Sequence, residues 1–394
     1  MKILFISVHG DPLAKLGSAQ AGGQNNYVRQ ITVALERLGH QIDVATHWNN
    51  KKNKGTSFYG QNIKVLRIAA GQRKYVKKDL MFDLLPDFFS ELEQKTDLSS
   101  YDLIHTNYWL SGAVGLMIKE KYHKPLVHTS HSLGHVKARV TGVRDENRLK
   151  TENIILRTAD SVIATTNDEK NKIGKITHDN SNVKVVSIGV NDAFVDSGVR
   201  IMPEQTSFMF TGRLNQTKGI FVLFDAFARY LEMGDNTARL TIAGGGPEDF
   251  DERGCCVPRS SRLRAALEPI RENVDIIGPK TQQELAVLYK DKTALIVPSF
   301  YESFGMVASE AHAAGLPVIA SRVGGLKDVV ADNETGLLFR NKNASELAQC
   351  MNKLASDRDL NLRMGEAAVK RAYEVFNWGP ISKQLESIYE SVIK

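Results

Sequence analysis

Long hydrophobic runs are missing from this sequence, and their absence excludes a protein with membrane-spanning helices. A helix needs about 18 or more consecutive apolar residues to cross a bilayer, and no such stretch occurs. The first residues, MKILFISVHGD, are typical of a buried strand, because the apolar region of a signal peptide would be longer. We therefore expect a protein that stays in the cytoplasm.

Cysteine is also scarce, which excludes a fold held together by disulfide bonds. The chain has three cysteines, Cys255, Cys256 and Cys350, and the first two are neighbours without the spacing of a metal site. We expect reduced thiols of minor structural importance.

Signatures of nucleic-acid binding are missing too, although the net charge is +6. No zinc finger, helix-turn-helix or aromatic RNA-binding motif accompanies the two short basic runs, Lys51–Lys54 and Arg73–Lys78. Such runs are most often solvated surface. The charge also suits phosphorylated small molecules, and a peripheral contact with the inner face of a membrane stays open as an alternative.

What the chain does have is a repeated strand and helix pattern over 394 residues, enough for two domains. Apolar segments of strand length alternate with helical segments, which is typical of a parallel sheet covered on both faces. The strands predicted in the first half are 3–8, 42–46, 63–68, 103–105, 126–129, 161–166 and 184–188.

A second series of predicted strands follows at 208–211, 238–243, 274–277, 294–297, 318–321 and 337–339. Between the two series, residues 191–205 lack a strong pattern and contain Pro203, which predicts a linker. The sequence thus predicts an α/β protein with domains at 1–195 and 205–375. In such sheets, ligands lie at the carboxyl ends of the strands.

One stretch, residues 297–315, combines a strand end, a turn and a helix start. The strand stops at Pro298, and an alanine-rich helix is predicted from about Gly305 to Gly315. Backbone N–H groups at a helix start lack helical partners and, together with the helix dipole, favour an anion such as a diphosphate.

Two glutamates flank this helix start, Glu302 before it and Glu310 inside the helix. At a rise of about 1.5 Å per residue the pair spans at most roughly 12 Å, comparable with the distance from sugar to ribose across a diphosphate. A carboxylate buried on so apolar a helix needs hydrogen-bond donors, and polyol hydroxyls are suitable ones. Taken alone, these residues equally allow an ordinary loop position for Glu302 and a solvated position for Glu310.

The E-x7-E spacing of Glu302 and Glu310, with the downstream sequence GLPVIASRVGG, resembles the signature of the retaining GT-B glycosyltransferases of group 1, family 4. The resemblance implies two Rossmann-like domains facing across a cleft, with a C-terminal helix, 376–394, that returns to the first domain. It also implies that Glu302 and the next residues hold the donor sugar while Glu310 holds the ribose. Those next residues are Ser303, Phe304, Gly305, Met306 and Val307.

Arg213 and Lys218, in GRLNQTKG, place two cations in a turn at the carboxyl end of a strand, where a departing diphosphate would develop charge. Loop cations usually face solvent, but this GR-x4-KG pattern also resembles the family's diphosphate-binding pair. The run AGGQNNYV resembles the family's glycine loop, which implies contacts from Gly22 and Gly23 to the distal phosphate. Its spacing is not that of a dinucleotide fingerprint.

In HTSHSLG, the resemblance selects His131 as the residue against the 6-hydroxyl of the donor sugar, whereas His128 is expected within a strand. The nucleotide base is expected to meet backbone around Pro279 and Lys280. In this family the departing diphosphate is proposed to take the acceptor's proton on the face that it leaves, so no general base is implied. The catalytic set implied by the resemblance is His131, Arg213, Lys218 and Glu302.

The acceptor side rests on local resemblance to family members that glycosylate sugar phosphates, the sucrose-phosphate synthases and the inositol-phosphate glycosyltransferases. The residues that resemble their phosphate-gripping groups are Asn25, Lys78, Tyr108, Ser132 and Arg148. Lys78 and Arg148 would supply the positive charge. A surface salt-bridge network is the alternative interpretation of the same residues.

We therefore expect a retaining hexosyltransferase that moves glucose from UDP-glucose to a hydroxyl of a sugar or sugar phosphate, with no cofactor and no metal. Asp249 and Asp251 form a D-x-D, which holds a metal in the other glycosyltransferase fold, but the strand pattern before it differs. The alternatives are a nucleotide-sugar binder, an epimerase, and a transferase acting on a lipid-linked or polysaccharide acceptor at a membrane. The acceptor, the linkage, the nucleotide base and the oligomeric state stay open.

Overall fold

Two β-sheets, each within its own compact unit, organise the chain. The computed structural model describes residues 1–14, 22–196, 198, 200–245, 258 and 260–394. Asp249, Asp251, Cys255 and Cys256 lie outside the described residues. The predicted α/β class with two Rossmann-like domains is confirmed. Among the described residues, no helix has the length and apolar character needed to cross a membrane.

The sheet of the first unit has eight strands in the spatial order β3-β4-β2-β1-β5-β6-β7-β8. The strands are β1 (Lys2–Ile6), β2 (Gln41–His47), β3 (Thr56–Tyr59), β4 (Ile63–Ile68), β5 (Leu103–Asn107), β6 (Leu126–Thr129), β7 (Ser161–Ala164) and β8 (Val183–Val185). Residues 3–6 of the central strand β1 are all fully buried, as expected for a sheet that is covered on both faces.

The edge strand β3 corrects the expectation of a uniformly parallel sheet. It pairs antiparallel with β4, and its Phe58 is 68% exposed. An edge strand of four residues needs no continuous apolar run, because one side of it faces solvent. It therefore lacks the pattern from which the buried strands were predicted.

In the described part of the first unit, the helices between these strands are α1 (Gly23–Glu36), α2 (Leu85–Lys95), α3 (Trp109–Tyr122), α4 (Gly134–Thr141), α5 (Glu146–Thr158) and α6 (Asn167–Thr177). Short 3-10 helices lie at Lys78–Leu80, Phe82–Leu84 and Leu98–Ser100. Because β1, β5, β6 and β7 are parallel neighbours, their carboxyl ends lie at the same edge of the sheet.

The sheet of the second unit is parallel throughout, in the order β11-β10-β9-β12-β13-β14. Its strands are β9 (Ser207–Gly212), β10 (Arg239–Gly244), β11 (Val274–Ile276), β12 (Ala294–Val297), β13 (Val318–Ser321) and β14 (Gly336–Phe339). Its helices are α7 (Asp192–Val195), α8 (Ile220–Glu232), α9 (Ser261–Leu267), α10 (Gln282–Leu288), α11 (Met306–Ala313), α12 (Leu326–Val329), α13 (Ala344–Ser356) and α14 (Arg358–Val375). Short 3-10 helices lie at Gln216–Lys218, Glu268–Asn273 and Tyr289–Asp291.

The first unit ends at residue 189 and the second begins at residue 190, whereas the sequence predicted domains at 1–195 and 205–375. Helix α7 occupies part of the predicted linker, and its Phe194 is fully buried with its ring centroid 5.7 Å from that of Tyr289. This aromatic contact attaches residues 192–195 to the second unit, and a short helix of this kind gives no periodic signal in the sequence.

The last helix, α15 (Trp378–Ile393), belongs to the first unit. The Trp378 indole nitrogen donates to Gln30 Oε1 at 2.7 Å, and the Tyr389 hydroxyl lies 2.5 Å from His105 Nδ1 on β5. A Cβ at Gly189 would lie only 2.3 Å from the Trp378 ring, so glycine is needed for this close approach. Indole, phenol and backbone contacts thus fix α15 on the first unit.

Candidate functional site

The turn between β12 and α11 presents a row of unpaired backbone amides. Ser303, Phe304, Gly305, Met306 and Val307 donate no backbone hydrogen bond to any residue that the structure describes. Helix α11 begins at Met306, so the last two of these amides are the orphan donors of a helix start. Aligned N–H groups with the positive end of the helix dipole behind them can bind an anion.

Three glycines hold this turn in place. Gly305 has φ +105° and Gly324 has φ +48°, both in the region that favours glycine. A Cβ at Gly324 would lie 1.9 Å from the Glu302 carbonyl oxygen, and one at Gly325 would lie 2.3 Å from the Ser303 carbonyl oxygen. The Gly325 amide donates to the Glu302 carbonyl at 3.0 Å. The GG sequence after β13 is therefore the support on which the amide row rests.

Lys218 and Glu302 form an ion pair across this turn. The Lys218 ammonium donates to Glu302 Oε2 at 2.6 Å, and the two side chains are 34% and 19% exposed. Asn215 orders the lysine's turn, because its side chain accepts from the Lys218 amide at 3.0 Å. Gly219 follows with φ +74°, and a Cβ there would lie 1.9 Å from the Pro298 carbonyl oxygen. The turns after β9 and β12 are thus pressed together, and they bring Lys218 to Glu302.

Glu310 is buried on α11, contrary to the solvated position that the sequence alone allowed. Burial raises the pKa of its carboxyl from the ordinary 4.5 to about 8, and a hydrogen bond from Gln282 offsets only part of that shift. Gln282 Nε2 donates to Glu310 Oε1 at 3.1 Å from the first position of α10. Gln282 could not be selected from the sequence, because it is distant from Glu310 along the chain.

The remaining donor-side predictions lie on neighbouring turns of the second unit. Arg213 directly follows β9, is exposed, and makes no side-chain hydrogen bond or ion pair with a described residue. Pro279 is exposed and Lys280 is half-buried, just before the Thr281 cap of α10. Because Gln282 bonds to Glu310, the turn carrying Pro279 and Lys280 lies close to the buried carboxyl.

Gly22, Gly23 and Asn25 form the start of α1 in the first unit. Gly22 is the cap residue, and its amide donates to Asn25 Oδ1 at 3.1 Å. Asn25 Nδ2 donates to the Asp11 carbonyl at 2.9 Å, so both ends of its amide have partners. The structure gives Asn25 a role in shaping the glycine turn and does not bring it to the cavity described below.

His131 lies just after β6 with φ +59°, a conformation uncommon for a residue with a Cβ. Its Nε2 lies 2.9 Å from Asn107 Oδ1, and its ring meets that of Tyr27 edge-on at 4.7 Å. Burial lowers the pKa of His131 well below the ordinary 6.5. His128 is buried inside β6 with Nδ1 2.9 Å from the Thr106 hydroxyl, as expected for a histidine within the strand.

Four of the five predicted acceptor residues lie together beside a cavity of about 640 Å³ in the first unit. Lys78, Tyr108 and Arg148 line it, and Ser132 is bonded to Arg148. Lys137 and Arg144 line the same cavity and were not selected from the sequence. Most of these side chains reach the cavity from α4, α5 and the short helix at Lys78. Several of them are basic.

Arg148 is a buried guanidinium that orients its neighbours. Its Nε donates to Glu152 Oε1 at 2.7 Å, Nη1 to the Tyr108 hydroxyl at 3.0 Å, and Nη2 to the Ser132 carbonyl and hydroxyl at 2.8 and 3.1 Å. Glu152 also accepts from the Gly134 amide at 2.6 Å. The alternative of a salt bridge is thus present, but it is a buried one that fixes Tyr108 and Ser132 at the cavity.

The two sites differ in what they can bind. The second unit offers free amides and a cation for a diphosphate, with one carboxyl group on the loop and another inside the helix for hydroxyl groups. The first unit offers a polar cavity with several cations, which suits a phosphorylated molecule. Among the described residues, no group of three or more His, Cys, Asp or Glu side chains is arranged to hold a metal ion.

Two family models match the chain. Residues 197–371 match the model described as Glycosyl transferases group 1, and residues 21–194 match that described as Glycosyltransferase Family 4. Among curated proteins, the chain is 33% identical to the D-inositol 3-phosphate glycosyltransferase of Corynebacterium diphtheriae, covering 99% of this chain and 94% of that protein.

Solved structures are similar over the same length. A sucrose-phosphate synthase from Thermosynechococcus elongatus has a TM-score of 0.88 and 32% identity, covering 99% of this chain and 98% of its own. The Anabaena protein HepE, solved with UDP and glucose, has a TM-score of 0.74 at 19% identity, covering 99% and 100%. The second likeness shows a shared fold.

Proposed function

Since this chain belongs to the group 1 glycosyltransferases of the GT-B fold, we propose that it transfers glucose from UDP-glucose to a hydroxyl of a sugar phosphate. We further propose that transfer retains the anomeric configuration and needs no metal. The observation that carries the proposal is the row of unpaired amides at residues 303–307 beside Lys218, Glu302 and Glu310. Each polar group there corresponds to one part of a nucleotide sugar.

In the proposed donor complex, the diphosphate accepts hydrogen bonds from the amides and from Lys218, with Arg213 as a second cation. Glu302 then accepts from sugar hydroxyls, and Glu310 accepts from the ribose. The hydroxyl groups would supply the donors that the buried Glu310 carboxyl lacks, since only Gln282 donates to it among the described residues. An unsatisfied buried group costs about 1–3 kcal/mol, so ribose binding is favoured at this position.

The proposed reaction exchanges one bond at the sugar's anomeric carbon. The oxygen of the acceptor hydroxyl bonds to that carbon while the bond from the carbon to the β-phosphate oxygen breaks. The departing diphosphate carries the electron pair and takes the proton of the acceptor hydroxyl on the same face. Lys218 and the amides stabilise the charge that develops on the diphosphate, a type of contact worth about 3–4 kcal/mol in other enzymes.

The proposed acceptor is a sugar phosphate because of the cavity in the first unit. Lys78, Lys137, Arg144 and Arg148 line it, with Asp79 and Asp145 on the same wall. Arg144 is paired with Glu146 and Arg148 with Glu152, so the two lysines carry most of the charge argument. Tyr108, held by Arg148, adds a hydroxyl. A phosphate group would find cations and hydroxyl donors there, while the sugar fills the rest of a volume of about 640 Å³. The names of the relatives, one acting on an inositol phosphate, support the same class of acceptor.

The test is an assay of purified protein with UDP-glucose and a panel of hexose and inositol phosphates, with UDP release and product anomers followed by NMR. We expect an α-linked product from one phosphorylated acceptor and no reaction with its dephosphorylated form. Lys218→Met should abolish transfer, whereas Lys370→Met, which changes an exposed lysine on α14, should not. UDP-glucose binding without turnover on any acceptor would instead identify a nucleotide-sugar binder.

Metal independence is tested in the same assay. We expect full activity after treatment with EDTA, because amides and cations take the place of a metal at the diphosphate. Loss of activity that manganese restores would contradict metal independence. Asp249 and Asp251 would then be the candidate metal ligands.

A further inference from the structure

Asn107 lies next to His131, and the proposed function does not explain why an asparagine is there. It is the last residue of β5, is fully buried, and pairs in register with Thr129 of the neighbouring strand β6. His131 follows two residues after that strand position. The parallel pairing therefore places the Asn107 side chain against the imidazole, with Oδ1 2.9 Å from Nε2.

We propose that Asn107 is a positioning residue that fixes His131 as the tautomer protonated on Nε2, which leaves Nδ1 as a hydrogen-bond acceptor for a sugar hydroxyl. The inference rests on the proposed function only in naming the sugar hydroxyl as the group that Nδ1 meets. Since an amide oxygen can only accept, an Nε2 that faces Oδ1 must carry the proton, and the ring's other nitrogen then carries the lone pair. Nδ1 accepts no hydrogen bond from any described residue.

The backbone of Asn107 is anchored by the Gln24 side chain. Gln24 Nε2 donates to the Asn107 carbonyl at 3.2 Å and to the Ser7 hydroxyl at 3.0 Å, which ties the start of α1 to the carboxyl ends of β1 and β5. Asn107 Nδ2 is buried and has no hydrogen-bond partner among the described residues. An unpaired buried donor costs about 1–3 kcal/mol, and a leucine of similar volume would avoid that cost. The bond to His131 explains why an amide stands at this position.

Burial keeps the His131 ring neutral, and the nearby charges act in the same direction. Burial and nearby positive charge lower its pKa to about 3, and no carboxylate contributes a shift in the opposite direction. The titratable groups that face the ring are Lys78, His128, His9 and His105, with the Tyr27 ring against its edge. A neutral ring needs a partner to select one of its two tautomers, and Asn107 supplies that partner.

The first test is independent of catalysis. In 15N-histidine NMR spectra of the full chain, His131 should show the Nε2-protonated tautomer from pH 5 to 9, with assignment from the His131→Gln variant. In Asn107→Leu, which removes the acceptor and conserves volume, the His131 signals should become an average of both tautomers. A Nδ1-protonated ring in the unmodified protein, or no change in Asn107→Leu, would overturn the proposal.

The second test uses a carboxylate in place of the amide. Asn107→Asp keeps an acceptor toward Nε2 but favours the imidazolium, so the acid limb of the pH profile of kcat should move up by about 1–3 pH units. At high pH its kcat should approach that of the unmodified protein, whereas Asn107→Leu should stay about tenfold low at every pH. In a His131→Gln background, Asn107→Asp should move the profile no further. An equal shift of the pH profile in the His131→Gln background would overturn the positioning role of Asn107. If the unmodified protein shows the expected NMR spectra but no transfer activity, the proposed function is wrong and the positioning role is not.

Discussion

At the scale of single residues, Lys218 and Glu302 neutralise each other before any donor is bound. The proposed donor complex separates them, because the diphosphate takes the lysine and the sugar takes the glutamate. A half-exposed ion pair of this kind is worth about 0.2–1 kcal/mol, which the donor must offset. A nucleotide diphosphate without the sugar would contact Lys218, but it would leave the Glu302 carboxylate without a positively charged partner.

This competition predicts opposite effects of Glu302→Gln on binding and on transfer. The variant should bind UDP more tightly, by up to about fivefold, because Lys218 no longer has an anionic partner to leave. Transfer should fall to background, because the donor sugar's hydroxyl groups lose the charged carboxylate that accepts their hydrogen bonds. Isothermal titration and the transfer assay measure the two effects, with Glu366→Gln, an exposed glutamate on α14, as the matched control. Weaker UDP binding by Glu302→Gln would contradict the competition.

Glu310 predicts a pH dependence with a definite sign. Burial raises the pKa of the free enzyme's carboxyl to about 8, and hydroxyl donors from the ribose favour the ionised form, so binding releases a proton. UDP-glucose affinity should therefore rise between pH 6 and 8 and level off above. Titration calorimetry between pH 6 and 8 should show this rise in affinity. The ligand is UDP-glucose, because its diphosphate does not titrate in that range. Glu310→Gln should bind with a flat profile, and a slope that persists in the variant would assign the proton to another group.

The same raised pKa affects folding. The folded chain keeps the Glu310 proton at pH values where the unfolded chain has lost it, so the folded state binds more protons between about 4.5 and 8. The free energy of unfolding should fall as pH rises through this interval, since the ionised carboxylate is poorly solvated inside α11. Glu310→Gln should remove that part of the pH dependence.

The residue pairs of the site could not be predicted from the sequence. Glu302 and Glu310 were selected through their spacing and their family signature, but the burial of Glu310 did not follow from the sequence. Lys218–Glu302, Gln282–Glu310 and Arg148–Tyr108 each join separate elements. Their distances depend on how turns pack at a sheet edge, which no local pattern encodes.

At the scale of elements, the packing of the β12–α11 turn against the turn after β13 fixes the amide row. Strands β12 and β13 have the bounds that were predicted, because both are short, apolar runs ended by polar or glycine residues. The antiparallel strand β3 and helix α7 were missed because neither carries a buried apolar run of the kind used to find the others. The hydrophobic pattern therefore predicted the strands and helices that carry buried apolar runs. The two elements that it missed have an exposed face.

The role of the glycine support predicts the effect of Gly324→Ala. The new Cβ would meet the Glu302 carbonyl oxygen at 1.9 Å, so the turn must move and displace the amides and the carboxylate. A displacement of about 1 Å in such a site lowers turnover by roughly 100-fold. Kinetics and donor titration measure the loss.

Gly234→Ala is the matched control for this substitution. Gly234 also has positive φ, +117°, but a Cβ there meets nothing within 4 Å. Both variants therefore carry backbone strain, and only Gly324→Ala should lose donor binding. Equal activities of the two variants would contradict the role given to the turn.

At the scale of the whole molecule, each sheet has its own core, and the chain returns to the first core through α15. Trp378, Ile381, Leu385 and Tyr389 are buried on that helix. In the sequence, this return was indicated by family resemblance alone. The buried contacts supply its physical reason, since the helix covers apolar surface that the first unit would otherwise expose.

Removal of residues 378–394 should therefore destabilise the first unit. Differential scanning calorimetry of a chain ending at residue 377 should show a lowered melting transition for one unit while the other keeps its transition. Tyr389→Phe conserves the ring but removes the hydroxyl beside the buried His105, and it should cost about 1–3 kcal/mol. Two transitions at unchanged temperatures in the truncated chain would contradict the stabilising role of α15.

The assignment of a diphosphate to the amide row is the claim on which the donor site depends. A crystal structure of the protein with UDP tests it most directly. The account predicts diphosphate oxygens within hydrogen-bond distance of the amides at 304–307 and of the Lys218 ammonium, with ribose hydroxyls at the Glu310 carboxylate. Nucleotide bound away from residues 213, 218 and 310 would contradict it.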